Sequence, residues 1–169
     1  MLGMENLFIK GFRDYQIRQC AEDDIQNVVS INMVSLPEHY SDYFFEDLLR
    51  SSPESFLVAE TNNLIVGYIM CRIEHGFSNF KRFNLSKKGH IVSVAILEPH
   101  RGKGLGEQMV KSARDALKIK GCSEAFLEVR VSNVGAVKLY QRLGFRIITT
   151  MEGYYRDNEP AHLMSLQIN

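Results

Sequence analysis

The sequence predicts an α/β protein with one mixed sheet carrying helices on both faces, and three observations lead to that fold class. HIVSVAILE, residues 90 to 98, is a nearly continuous apolar run with β-branched residues, the pattern of a central strand buried on both faces. A helix follows it, and the same strand-then-helix step recurs at SEAFLEVRV and NVGAVKLYQRLGF, residues 123 to 131 and 133 to 145. Elsewhere short β-rich runs are joined by tight turns. The resulting order, βα(α)βββαβαββ, requires strands of both directions in one sheet.

Each element has a local reason. YQIRQC at 15 to 20 alternates as a strand. AEDDIQNVVSINMV then opens on an acidic first turn and sets Ile25, Val28, Val29, Asn32 and Met33 on one helical face. LPEHYSDYFFEDLLRSSPE, from residue 36, holds a proline loop and a short second helix, ended by Ser52 and Pro53 because the residue before proline disfavours helical ψ. SFLVAETNNLIVGYIMCRIE reads as two strands joined at Asn62 and Asn63, which tolerate the positive φ of a tight hairpin.

GFSNFKRFNLSKKG, 76 to 89, mixes glycine, serine, asparagine and lysine with three phenylalanines and is expected to be a long surface excursion or lid. The helix after the central strand carries Leu105, Met109, Ala113 and Ala116 on one stripe and stops at Gly121. Asn133 caps the last helix, Val134, Val137, Tyr140 and Leu143 form its apolar stripe, and Gly144 ends it. RIITTMEGYYRDNEPAHLMSLQI closes the chain as two strands around a polar turn.

At 169 residues the chain suits one domain, taken as residues 14 to 169 behind an N-terminal extension, residues 1 to 13, with the character of a flexible tail. Twenty basic and twenty acidic residues cancel, which argues against a whole-surface polyanion binder and so against direct nucleic-acid binding. Cys20, Cys71 and Cys122 are odd in number and form no CxxC pair, which fits reduced core thiols. No apolar run approaches the ~20 residues that cross a bilayer, and no leader pattern opens the chain, so a cytoplasmic protein without a membrane partner is expected.

HRGKGLGEQMV, residues 100 to 110, places glycine at 102, 104 and 106 between a strand and a helix. Such a junction gathers unpaired backbone N–H groups and the positive end of the helix dipole, while Arg101 and Lys103 add charge, so a phosphate or pyrophosphate fits it. A plain flexible turn is the alternative on the glycines alone. A Walker loop fails because Lys103 precedes Gly104 and Leu105 follows it. A dinucleotide fingerprint fails because its third glycine would fall on Glu107 or Met109.

The remaining RxxGxG pattern, Arg101 to Gly106 after an apolar strand, resembles the pyrophosphate loop of the GNAT acetyltransferases, and SNVGAVKLYQRLGF resembles that family's second signature. The resemblance implies a GNAT fold, with a mostly antiparallel sheet and splayed parallel central strands, and acetyl-CoA as co-substrate. It assigns Arg101, Gly102, Lys103, Gly104, Leu105, Gly106 and Glu107 to the pyrophosphate, and Asn133 and Tyr140 to the rest of CoA. Within the family the sequence is most similar to RimI and the archaeal and eukaryotic NatA catalytic subunits, through LPEHY, GHIVSVAI, LEVRVSN and GYY. That similarity implies polypeptide N-termini as acceptors, including nascent chains at the ribosome. Leu36, Pro37, Glu38 and Tyr40, with Tyr154, Tyr155 and His90, would frame the peptide.

The chemistry gives these residues work. An α-amine has a pKa of about 7.7–8.0, so near neutral pH much of it must lose a proton before it attacks a thioester. His90 and Glu128 are the candidate catalytic pair for that proton, acting through water; the alternatives are a strand-end histidine in solvent and a carboxylate paired with Arg130 or Arg72. Glu38 would select the ammonium or the first side chain. Tyr140 would protonate the departing thiolate, against a role in core packing alone. Backbone N–H groups of Val94, Ala95 and Ile96 would hold the oxyanion and pair with the pantetheine arm. Asn133 would bond the same arm or serve only as a cap. Two ligands are too few for a zinc site, so no metal is required. A monomer or weak dimer is expected. Competing readings are a GNAT enzyme for a small amine or a lysine side chain, and a silent CoA-binding module.

Overall fold

A computed structural model of the protein describes residues 9–169. Among them are eight strands, four α-helices and the mixed sheet expected, with strand order β1-β2-β3-β4-β5-β6-β8-β7. The strands are β1 (Ile9–Phe12), β2 (Tyr15–Gln19), β3 (Phe56–Thr61), β4 (Leu64–Phe77), β5 (Leu85–Ile96), β6 (Glu124–Arg130), β7 (Arg146–Met151) and β8 (Ala161–Gln167). The helices are α1 (Ile25–Ser35), α2 (Asp42–Ser51), α3 (Leu105–Ile119) and α4 (Val134–Arg142). The chain divides into two compact units, one running through Arg72 and including Ser93–Ala116, the other formed by Ile73–Val92 and Leu117–Asn169.

In the first unit, β1 pairs antiparallel with β2 from Ile9↔Arg18 to Phe12↔Tyr15. The expected extension is thus shorter than residues 1 to 13: IKGF and YQIR are joined by Arg13, whose positive φ of 53° makes the tight turn. The rest of that stretch, residues 1 to 8, lies outside the described residues. β3 and β4 form the hairpin expected at Asn62 and Asn63, both with positive φ, 49° and 61°. Ile17, Phe45, Phe56, Leu57, Val58, Tyr68 and Ile69 are fully buried in this unit's core, so truncating a ring such as Phe45 to alanine would cost ~3–5 kcal/mol.

The acidic stretch at 22 to 24 forms a 3-10 turn rather than the start of α1. Asp24 is held back by Arg18, at 2.6 and 3.0 Å, and accepts the Ala21 N–H at 2.8 Å. Arg18 also donates to Glu60 on β3 at 2.8 Å, so one guanidinium fastens β2, the turn and β3. α1 then buries Ile25, Val28, Ile31 and Asn32, while Met33 is 52% exposed. Ile31 thus takes the place that the sequence reading gave to Met33, and Val29 is half-buried.

In the second unit, β5 and β6 run parallel, with register Lys88↔Glu124, Gly89↔Ala125 and His90↔Phe126. The register stops there although both strands continue, which is the splay expected of the central strands. Gly89 is required in this layer because a Cβ there would meet Leu117 Cδ1 at 2.4 Å. β6 pairs antiparallel with β8 along its whole length, from Glu124↔Gln167 to Arg130↔Ala161, and β7 lies on the outer edge of β8.

The excursion expected at 76 to 89 is shorter than that. Its ends belong to β4 and β5, leaving only 78 to 84 as a connection. Polar side chains, which read as surface in the sequence, fasten that connection: buried Glu124 accepts the Ser78 hydroxyl and the Asn79 N–H (3.0 Å), and Asn79 Nδ2 donates to Ser165 of β8 at 2.6 Å. Lys88, 7% exposed, donates to the Phe77 carbonyl at 2.9 Å and lies 4.7 Å from the Phe126 ring centre. Phe83 and Phe77 are nonetheless 81% and 67% exposed.

The Arg18–Asp24 pair makes stability pH-dependent. Burial alone would raise the Asp24 pKa, but the Arg18 hydrogen bonds, the Ala21 N–H and the Arg18 charge outweigh it and hold the carboxyl below its ordinary 3.8. Its stabilisation is therefore complete above the unfolded-state pKa and is lost as pH falls through the lower folded-state value. Urea titrations of wild type and Asp24→Asn from pH 6 to pH 2 should show a gap of ~1–2 kcal/mol above about pH 5, after solvent screening, that shrinks in acid.

Candidate active site

The glycine loop lies in the first unit. β5 ends at Ile96, Pro99 lies in a 3-10 turn, and residues 101 to 104 are exposed ahead of α3. Gly102 and Gly104 have φ of 74° and 83°, the left-handed region that a side chain opposes, so here the glycines answer a backbone demand. The Arg101 Nε–H donates to the Ile96 carbonyl at 2.7 Å, and the Tyr15 hydroxyl bonds His100 Nδ1 at 2.9 Å. The loop is thus braced from both sides at the positive end of a 15-residue helix. Lys103 is exposed; Leu105 is buried and Gly106 half-buried, where a Cβ would lie 3.9 Å from Ile96 Cγ1, while Glu107 pairs with Lys111 at 2.9 Å. Sequence reasoning used Arg101 only as charge and missed Tyr15 and His100, although His100 begins the quoted loop.

Val94, Ala95 and Ile96 form the last turn of β5's pleat, and β4 approaches them through Gly67. A Cβ at Gly67 would lie 2.5 Å from Ile96 Cδ1 and 3.1 Å from the Ala95 carbonyl oxygen. The methyl could turn away, but the carbonyl could not. The next residue after the strand, Leu97, gives its N–H to Val66 at 2.8 Å.

The LPEHY segment is also in the first unit. Leu36 ends α1 in extended conformation and donates its N–H to the Asn32 carbonyl. Pro37 is exposed, Leu36 and Glu38 half-buried, and Tyr40 stacks on Phe44 at 4.8 Å with Phe45 edge-on at 6.0 Å. Ser41 then caps α2 by accepting from the Phe44 N–H.

The second unit brings His90 and Glu128 together. His90 Nε2 and Glu128 Oε2 are 2.6 Å apart, with side chains only 14% and 18% exposed. His90 lies within β5 rather than at its start, one strand over from Phe126, on which its ring stacks at 4.4 Å and 7°. The solvent-exposed strand-end alternative is therefore corrected: β5 begins five residues earlier, at Leu85. Because a carboxylate accepts, Nε2 carries the hydrogen of this bond, while Nδ1 is buried and has no hydrogen bond among the described residues.

Tyr140 on α4 is 7% exposed and packs edge-on against Phe145 at 5.7 Å, so it fills the core whatever else it does. Asn133 caps α4 through Oδ1, which accepts the Ala136 N–H at 3.3 Å, leaving its amide Nδ2 to donate elsewhere. Tyr154 is 47% exposed and meets Tyr155 edge-on at 5.0 Å. Tyr155 in turn lies 4.0 Å from the Arg130 guanidinium. Arg130 also pairs with Asp157 at 2.8 Å and Glu159 at 2.7 Å, and Glu159 accepts from Ser132. The Glu159 carboxyl is held low by the Ser132 hydroxyl first and Arg130 second. Sequence reasoning offered Arg130 to Glu128 and missed this fastening of the GYY turn.

The three cysteines are buried and unlinked. Burial, aided by the Asp24 charge, pushes the Cys20 thiol up to about 12, and burial raises Cys122, which suits inert thiols and not a nucleophile.

Comparison with known proteins agrees with these features. Residues 23–145 match the family described as Acetyltransferase (GNAT) family. An N-alpha-acetyltransferase of Sulfurisphaera tokodaii is 43% identical over 164 residues, 96% of this chain and 98% of that protein. Among solved structures, Ard1 from Thermoplasma volcanium superimposes with TM-score 0.80 at 28% identity, covering 92% of this chain and 99% of that one. The NatC complex bound to Gag peptide and CoA matches with TM-score 0.82 at 25% identity, covering 92% and 99%.

Two substitutions test the loop and its strand. Gly104→Ala should cost ~1–2 kcal/mol of stability from the positive φ alone, read as a lowered Tm, and weaken retention on a CoA-affinity resin. Gly67→Ala should cost ~1–3 kcal/mol in chemical denaturation by forcing β4 off the Ala95 carbonyl.

Proposed function

The chain belongs to the GNAT acetyltransferase family, and on that premise we propose that it transfers the acetyl group of acetyl-CoA to the α-amino group of protein N-termini, by direct attack in a ternary complex. The observation that carries this reading is the His90–Glu128 pair, 2.6 Å apart and largely shielded from solvent. Its chemistry fits an acceptor that arrives protonated and must give up a proton.

Each group then has a task. Arg101 to Glu107 hold the pyrophosphate with backbone N–H groups, Lys103 adding charge. The backbone of Val94 to Ile96 pairs with the pantetheine arm, and one of its N–H groups stabilises the oxyanion as the amine attacks the thioester carbon. Asn133 Nδ2 bonds the same arm while Oδ1 keeps its cap. Glu128 Oε1 binds the water that takes the amine proton, and His90 orients Glu128. Tyr140 protonates the thiolate as the C–S bond breaks, regenerating CoA. Leu36, Pro37, Glu38 and Tyr40, with Tyr154 and Tyr155, receive the peptide; Glu38 faces the ammonium before it is deprotonated. The work is done in the cytoplasm, on finished or nascent chains, by a monomer or weak dimer.

Two experiments decide. Matched peptides with free and blocked N-termini should be acetylated only at the free α-amine; equal acetylation of blocked peptides on lysine overturns the assignment. Glu128→Gln should lower kcat/KM about 100-fold or more and flatten its rise with pH. An unchanged pH profile in the His90→Gln, Glu128→Gln double variant removes the pair from the mechanism.

A further inference from the structure

Asn32 is an anomaly in the core of the first unit. It sits on the inner face of α1, fully buried, where an aliphatic side chain would pack without polar cost. Its amide is committed twice: Nδ2 donates to the Glu38 carbonyl at 3.0 Å and to the Tyr68 hydroxyl at 3.1 Å. Its Oδ1 is buried with no hydrogen bond among the described residues. A side chain kept at that expense is retained for where it holds its partners.

The chain of bonds continues. Tyr68, on β4 and fully buried, lies 2.7 Å from Ser93 Oγ on β5. The phenol oxygen accepts from Asn32, and in its bond with Ser93 either hydroxyl can be the donor. Burial pushes the phenol up to about 12, so it stays neutral at any working pH. The chain thus runs from the backbone of the LPEHY segment, through α1 and β4, to the residue before Val94. The bond to the segment is made to a backbone carbonyl, so it fixes the position of the loop and not the identity of residue 38.

We propose that Asn32, Tyr68 and Ser93 form a buried positioning network that sets the 36 to 40 loop relative to β5, and so controls the binding of the peptide acceptor and not of acetyl-CoA. This rests on the reading that the loop receives the peptide. None of the three touches the reacting atoms in this scheme; they act through the loop.

The test uses Tyr68→Phe, which keeps the ring packing and removes only the hydroxyl, and Asn32→Asp, which loses the Nδ2 donor. Tyr68→Phe should raise KM for the peptide about tenfold while KM for acetyl-CoA stays within about twofold. Hydrogen exchange should speed up about tenfold at the amides of 36 to 40 while those of α3 stay unchanged. Asn32→Asp should show the same two effects. Equal rises in both KM values, or loop exchange identical to wild type, overturns the network. If the wild-type protein acetylates no peptide, it is the proposed function that fails, and the exchange experiment still decides whether the network positions the loop.

Discussion

Two parallel strands that stop pairing are the constraint from which the rest follows. β5 and β6 share register only as far as His90↔Phe126 and then part, though both continue. Backbone groups inside a protein cannot be left idle, so a strand released from its neighbour must find other partners. His90 belongs to the last registered pair, and Glu128, two residues beyond Phe126, meets it at 2.6 Å. The pair proposed to handle the proton thus meets where the ladder ends, and Phe126 stacks flat on His90.

The other elements hold this geometry in place. Gly89 admits Leu117 against β5, and the full antiparallel ladder with β8 fixes β6. In the first unit Gly67 plays the corresponding part for Ala95 and Ile96, and Arg101 and Tyr15 hold the glycine loop that follows.

Most of the fold was legible because it rests on local patterns. The apolar run of β5, the Asn62–Asn63 turn and the caps at Asn133 and Gly144 each announce themselves within a few residues. The glycine loop's strand-to-helix junction was legible for the same reason, and the meeting of His90 and Glu128 from their places on neighbouring strands. What was not legible depends on partners far apart in sequence. GFSNFKRFNLSKKG has the composition of a loop, yet Glu124 and Ser165, some 45 and 86 residues beyond Asn79, make it part of a hairpin. Arg18, Asp24 and Glu60 form a fastening that no local pattern signals. Arg130 was available to Glu128 by proximity in sequence and was instead used on Asp157 and Glu159, which no periodicity signals. IKGF was too short to read as a strand until β2 was there to pair with it.

The fastening of residues 78 to 84 changes what their exposed rings can do. A loose excursion must lose conformational entropy before it can present Phe83 to anything. Here that loss has already been met during folding, by Glu124, Asn79 and Ser165. A surface meeting the turn finds its backbone already tied at Ser78 and Asn79, so less ordering remains to be done on contact than in a loose loop.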